Sequence, residues 1–396
     1  MSMKKASVIL FFLLGARALF AQCFPGLESF SGGSPWQETA PGNAIEVIGS
    51  GPRYFDALTH DILEAKESIE MECYKFYNDE NGSRVWKALL QKAAEGVEIR
   101  IVFENIASPF LKADYYDELA RAGIRVRLAT DPDLPIWTVL SRLQGRLHRK
   151  TSIIDGRIVY MGGMNLNDNY ALHYDDTQIR IEGPSAECFR KEFYSLWSFV
   201  GPSEDAPEES AIHICGNVPV QLINGRQGND LLYSAIINIL DNARDYVWMQ
   251  NPYLSLDGDI LGALSGAVRR GVDVRIMIPA KGDLWMADRM NEIAVEELLG
   301  IGVRVFLYEP RFNHSKTIVA DDCLCGIGSV NLTNRSRRLN FENMVFIQDS
   351  GAAMELKKLH LEREEMSHEI LPDSYPGLSP GVALIRPLYK LFHPII

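Results

Sequence analysis

The chain of 396 residues carries 40 Lys and Arg against 52 Asp and Glu, a formal charge of −12. With 46% hydrophobic and 23% charged residues it reads as globular, with room for two or three domains, which excludes a disordered chain and a disulfide-stapled miniprotein. The acidic balance argues against nucleic acid as a partner, and no apolar run reaches the ~18 residues of a comfortable membrane span.

The chain opens with Lys4 and Lys5, an apolar run from Ala6 to Ala16, and small residues at Ala16, Ala18 and Ala21. Residues 1–21 therefore read as a secretory signal, with an uncleaved anchor as the alternative, and the protein is expected to be exported or membrane-associated. Cys23 follows in a weak lipoprotein-like context, because Gln22 stands where a small residue is expected. The six cysteines, Cys23, Cys73, Cys188, Cys215, Cys323 and Cys325, show no CxxC pair, so spacing predicts neither a zinc site nor a disulfide framework. Cys323 and Cys325 are expected to share one face of a strand, in the core.

Residues 94–103 read as a helix end, a stop at Gly96 and a strand; residues 121–126 repeat that outline around Gly123. A strand at 148–155 precedes a small-residue turn, Gly162-Gly163-Met164-Asn165, and then Asp176. A stretch rich in Pro, Glu and Ser from 201 to 209 reads as a link. Beyond it the plan returns: Gly271 and Gly302 as stops, a strand at 314–321, the turn Gly328-Ser329-Val330-Asn331, and Glu342. Strands alternating with helices predict an α/β fold, and repetition predicts two similar halves packed as a pseudo-dimer.

The repeated residues are reactive ones. His148 to Asp155 and His314 to Asp321 both fit His-x-Lys-x4-Asp. His314 follows His148, Asn331 follows Asn165 and Glu342 follows Asp176, each by 166 positions. Strand alternation puts His148 and Lys150 on one face and Asp155 on the other, and likewise His314 and Lys316 against Asp321. Asp155 and Asp321 are thus expected to be structural.

Pooled, two His, two Lys and two Asn suit a phosphodiester. Lys150 and Lys316 are point charges for phosphoryl oxygens, and Asn165 and Asn331 are neutral donors. One neutral imidazole attacks phosphorus and a protonated one serves the leaving oxygen, through a phosphohistidine. Asp176 and Glu342 each orient one imidazole through its other nitrogen. No metal or other cofactor is expected, since the lysines supply the charge. Spacing does not order the two histidines.

These twin motifs resemble those of the phospholipase D superfamily, and within it bacterial cardiolipin synthases. The likeness runs from about Ile45 to Phe346 and includes Arg180 to Pro184, Asn251-Pro252-Tyr253, Asn334-Arg335-Ser336 and Leu339-Asn340-Phe341-Glu342. It implies two α/β/α sandwich halves, 22–205 and 206–370, sharing one active site. It makes His148 the nucleophile and His314 the acid–base partner. It implies a phosphatidyltransferase that joins two phosphatidylglycerol molecules into cardiolipin and releases glycerol at a membrane surface. A secreted phospholipase D yielding phosphatidic acid is the alternative; a nuclease and a non-catalytic lipid scaffold fit less well. The sequence departs from many such synthases in showing one short apolar segment where they carry two N-terminal spans, and in Gln144 to Leu147 before the first motif.

Residues 371–396 suggest an interfacial tail: Leu384, Leu388 and Leu391 stand at helical spacing beside Arg386 and Lys390. Docking on the protein's own core is the equal alternative. The run Glu362 to Glu365 reads as a solvated helix face, Gly162 and Gly328 as turn glycines, and the pairs Asp175-Asp176 and Asp321-Asp322 as turn chemistry. His173, His213, His360, His368 and His393 have no duplicated partner and read as surface or core.

Overall fold

The computed structural model describes residues 42–108, 113–129, 145–201, 212–215, 220–225, 230–384 and 386. The signal-like segment, the link from 202 and the tail from 387 lie outside the described residues.

The first half runs β1 (Ala44–Ile48), α1 (Gly51–Glu64), β2 (Ser68–Cys73), α2 (Glu80–Ala94), β3 (Glu98–Phe103), α3 (Ala113–Arg121), β4 (Arg125–Leu128), β5 (Thr151–Ile154), β6 (Ile158–Gly162), β7 (Tyr174–Asp175), β8 (Gln178–Glu182) and α4 (Ala186–Val200). The second runs β9 (Ile212–Cys215), β10 (Val220–Gly225), α5 (Leu231–Asn242), β11 (Tyr246–Gln250), α6 (Gly258–Arg269), β12 (Asp273–Pro279), α7 (Trp285–Gly300), β13 (Arg304–Tyr308), β14 (Phe312–Asn313), β15 (Thr317–Ala320), β16 (Leu324–Gly328), α8 (Asn334–Arg338), β17 (Glu342–Ile347), α9 (Ser350–Glu364) and β18 (Ser367–Ile370).

The first sheet has the order β1-β8-β6-β5-β2-β3-β4, and the second β18-β13-β12-β11-β15-β16-β17-β10-β9. Stripped of the edge strands β18 and β9, the two orders match strand for strand. β2, β3 and β4 are parallel, as are β11, β12 and β13, and helices cross between them as parallel connections require. An Asp opens the corresponding helices: Asp79 accepts from Gly82 N at 3.0 Å before α2, and Asp257 from Ile260 N at 3.1 Å before α6. Gly96 and Gly271 end them at φ of 92° and 88°, a conformation that L side chains strain to adopt.

Each sheet buries one face under its own helices. Phe55, Leu58, Leu89 and Ile101 fill the first of these cores, and Ile236, Ile239, Leu264 and Ile276 the second. The other faces meet in a third core at the seam. There Ile153, Val159, Ile179 and Phe193 of the first half pack with Val319, Ile327, Val345 and Leu356 of the second. The molecule is a duplicated α/β/α sandwich closed as a pseudo-dimer.

Three sequence expectations need correction. Cys323 and Cys325 are both buried, but Cys323 joins the core of the second half and Cys325 the seam, because the chain turns between them. Gly162 and Gly328 end strands whose neighbours press close. A Cβ would meet Thr177 O at 2.4 Å or Asn343 O at 2.3 Å, so close approach rather than a turn demands glycine. The run Glu362 to Glu365 is not wholly solvated: Arg363 is only 3% exposed. Where the tail is described it lies on the protein, with Val382 buried and Arg386 Nη1 donating to Glu296 on α7 at 2.5 Å.

Candidate active site

Two short backbone crossings build the site. β7 of the first half pairs in parallel with β14 of the second, and Leu147 bridges to Phe341. His148 N donates to Phe341 O at 2.9 Å, and His314 N to Asp175 O at 2.7 Å. These bonds are pseudo-two-fold equivalents, so each His-x-Lys segment is pinned against the carboxylate-bearing strand of the opposite half.

The carboxylates are therefore exchanged. His148 Nδ1 lies 2.9 Å from Glu342 Oε2, and His314 Nδ1 lies 2.7 Å from Asp176 Oδ2. All four side chains are buried. With each Nδ1 engaged, Nε2 is left for chemistry. Asp176 thus orients an imidazole rather than serving a turn. Its neighbour Asp175 accepts from Tyr308 OH at 2.6 Å, whereas Asp322, at φ 54°, does stand in a turn.

The two carboxylates are furnished differently. Glu342 accepts from Ser329 Oγ at 2.6 Å, Ser336 Oγ at 2.8 Å and Asn340 Nδ2 at 3.0 Å, besides His148. Asp176 accepts from Thr177 N at 2.7 Å, besides His314. Gly163 stands where Ser329 does, and a Cβ there would meet the Asp176 carboxylate at 2.3 Å. Burial alone would raise the Glu342 pKa, but His148, Lys150 and Ser329 hold it below its ordinary value. Burial wins at Asp176 and raises it to about 7, against Lys316 and the Thr177 amide.

Burial lowers the His148 pKa to about 4, against the pull of Glu342. It also drives His314 well down, helped by Lys316, Lys150, His148 and Lys75. The crossed dyads, His148 on Glu342 and His314 on Asp176, bring the two motifs together at the seam. Burial lowers Lys316 to about 8 and Lys150 well below its usual value. Each Lys ammonium turns back to the carbonyl of its own histidine, Lys316 Nζ to His314 O at 2.5 Å and Lys150 Nζ to His148 O.

The asparagines differ too. Asn165 Nδ2 donates to Tyr170 OH at 2.6 Å and Oδ1 accepts from Lys75 N at 3.2 Å. Asn331 Oδ1 has no hydrogen-bond partner among the described residues, leaving that amide ready for a ligand. Asp155 and Asp321 lie away from the site. Asp155 accepts from the backbone N–H of Lys66, Glu67 and Ser68, and Asp321 from those of Arg244, Asp245 and Tyr246, so both anchor the chain entering β2 and β11.

Duplication did not reveal Tyr74, Lys75 or Arg363. The Tyr74 ring meets His148 edge-on at 4.6 Å, and the Lys150 ammonium lies 4.6 Å from its centroid. Lys75 adds a third lysine, and its second-half equivalent is Tyr253, whose ring lies 6.1 Å from His314. Arg363 donates to Ser315 Oγ at 2.7 Å, Gln250 Oε1 at 2.8 Å, Asp176 O at 2.9 Å and Thr177 Oγ1 at 3.1 Å, fastening the His314 side of the seam. A period count on α9 would have found it, because Ala353, Leu356, His360 and Arg363 form its buried stripe.

A duplicated α/β/α sandwich that brings two His-x-Lys segments together at its seam is a phospholipase D-type fold. The family model described as cardiolipin synthase, phospholipase D-like domain, matches residues 58–197 and 236–362. The cardiolipin synthase of Listeria monocytogenes serotype 4b is 30% identical over 366 residues, covering 89% of this chain and 76% of that protein. That of Oceanobacillus iheyensis is 32% identical over 366 residues, covering 89% and 75%. The phosphatidylserine synthase of Haemophilus influenzae has a similar fold, with a TM-score of 0.65 at 16% identity over 89% of this chain and 95% of that one. The chain belongs to the cardiolipin synthase family of phospholipase D-like proteins and is an enzyme of the phospholipase D-type phosphatidyltransferase class.

Proposed function

We propose that the protein makes cardiolipin from two phosphatidylglycerol molecules, with a phosphatidyl group carried on His148. The observation that supports this most is the unequal pair of exchanged dyads. The His148–Glu342 dyad holds a neutral imidazole against a firmly ionised carboxylate, which is the state of a nucleophile. The His314–Asp176 dyad has a carboxyl near 7 and so can hold one more proton at neutrality, which is the state of an acid.

The chemistry then balances. His148 Nε2 attacks phosphorus of the donor lipid while the bond to the glycerol head-group oxygen breaks. The His314 dyad gives that oxygen a proton, and glycerol leaves. A hydroxyl of the second phosphatidylglycerol gives its proton back to His314 as its oxygen attacks phosphorus. The phosphorus–nitrogen bond breaks and frees cardiolipin. Lys150, Lys316, Asn165 and Asn331 hold the non-bridging oxygens where charge builds. An incoming phosphodiester anion offsets the lysine charges that depress His314, so substrate itself raises the acid's basicity.

With water as acceptor the same steps give phosphatidic acid. Among the described residues no helix is long and apolar enough to cross a membrane, and a lipid substrate implies work at a membrane surface. The test is purified full-length enzyme with isotopically labelled phosphatidylglycerol, the lipids read by mass. Cardiolipin with equimolar glycerol is expected. Phosphatidic acid alone would replace the synthase reading by the lipase one, and no turnover would refute both.

A further inference from the structure

Beside the His314 end of the site stands a group of apolar side chains that nothing among the described residues covers. Leu284, Trp285 and Met286, at the start of α7, are 58%, 72% and 49% exposed. Such a run of large apolar residues facing water marks a docking surface more often than chance placement. Its position is fixed by its neighbours. Asp283, the residue before it, accepts from Tyr253 OH at 2.6 Å, and the Tyr253 ring lies 6.1 Å from His314. One side chain thus separates the base of the tip from a catalytic-site imidazole. The first half adds Leu172, 51% exposed, in the turn between Tyr170 and Tyr174. Both tyrosine rings contact His314, at 5.3 and 6.1 Å. Exposed Lys281 flanks the tip.

We propose that Leu284, Trp285 and Met286, with Leu172 beside them, form a tip that enters the head-group layer of an anionic phospholipid bilayer and seats the catalytic mouth on it. This rests on the reading of phosphatidylglycerol as substrate. A phosphodiester can reach a buried histidine without its acyl chains leaving the bilayer only if the mouth lies flush with the lipid surface. Indole is the side chain best suited to that boundary, Leu and Met supply apolar depth, and Lys281 meets anionic head groups. Tyr253 OH donates to the exposed Asp283 at the base of the tip, which ties this acid to the site.

The experiment compares the full-length protein with a Leu284→Ser/Trp285→Ser/Met286→Ser variant on vesicles of phosphatidylglycerol and phosphatidylcholine. Partitioning is read by flotation, and indole depth by quenching with brominated acyl chains. Turnover is also measured on short-chain phosphatidylglycerol below its micellar concentration, which needs no docking. The variant is expected to partition about tenfold more weakly or worse, to lose the brominated-lipid quenching component, and to lose vesicle turnover in step. Its turnover of the monomeric lipid should stay within about twofold. Unchanged partitioning would overturn the proposal, as would equal loss on vesicles and monomers, which would place the tip in the substrate pocket. A change of self-association without a change in vesicle binding would assign the tip to a second copy and overturn it likewise. If the wild type turns over no phosphatidylglycerol in either form while vesicle binding remains tip-dependent, the substrate reading fails and the docking surface stands.

Discussion

Asp176 and Glu342 occupy equivalent positions, yet their surroundings set them apart. Three side-chain donors besides His148 keep Glu342 ionised, whereas Asp176, faced by Gly163 instead of a serine, is left near 7 by burial. As pH rises through 7, the dyad loses the proton it is proposed to give the leaving oxygen. kcat/KM is therefore expected to fall on the alkaline side with a midpoint near 7, and Asp176→Asn to remove this limb together with most of the rate. A profile flat from pH 6 to 8 in the wild type would contradict it. Stability moves in the same direction. A carboxyl that binds its proton more tightly when folded favours the fold at low pH, and this contribution is lost as pH rises towards 7. Asp155 serves the fold rather than the rate. Asp155→Ala strips an acceptor from three backbone N–H groups, so the denaturation midpoint should drop by an amount worth roughly 1–3 kcal/mol while the rate of the chemical step holds. The roles of Asp155 and Asp321 were legible in strand alternation, which turns them away from the histidines. The inequality of Asp176 and Glu342 was not, since it depends on which groups crowd each carboxylate after folding.

At the scale of elements, α9 shows what a charge-rich stretch conceals. Glu362, Glu364 and Glu365 suggest a wet face, but the helix turns Arg363 inward to five acceptors along the seam. Arg363→Met keeps the volume and deletes the donors. It is expected to lower stability by roughly 1–3 kcal/mol for each acceptor left dry, measured by chemical denaturation. Because Asp176 O and Ser315 lose their anchor, the alkaline limb of the pH profile should also move, which a merely structural arginine would not cause. Arg363→Lys should restore part of the stability. The helix stops at Gly96, Gly123, Gly271 and Gly302 were readable as glycines because their backbone conformation demands one. Gly162 and Gly328 look alike in sequence but answer to a neighbouring strand, which no local pattern records.

Over the whole molecule, duplication was the legible fact: a constant spacing between the repeated residues announced two halves. The exchange of carboxylates between halves was not legible, because nothing in either motif says whose histidine each acid will meet. It follows from the pairing of β7 with β14 and of Leu147 with Phe341, contacts made only once both halves are folded. Lys75 stayed hidden for the opposite reason: the other half has Tyr253 in its place, so a search for repeats passes over it. The exchange has a functional consequence, since neither half alone owns an oriented imidazole. Glu342→Gln should therefore impair the nucleophile proposed at His148, slowing intermediate formation, while leaving the stability of the first sheet near that of the wild type.

The most direct test is to trap the covalent intermediate. Full-length enzyme is mixed with acyl-labelled phosphatidylglycerol, quenched within milliseconds, digested under mildly alkaline conditions and read by mass. The account predicts a phosphatidyl adduct on the peptide containing His148, absent in His148→Ala and formed about 10²–10⁴-fold more slowly in His314→Ala. An adduct on His314, or product formed at wild-type rate by either variant, would contradict it.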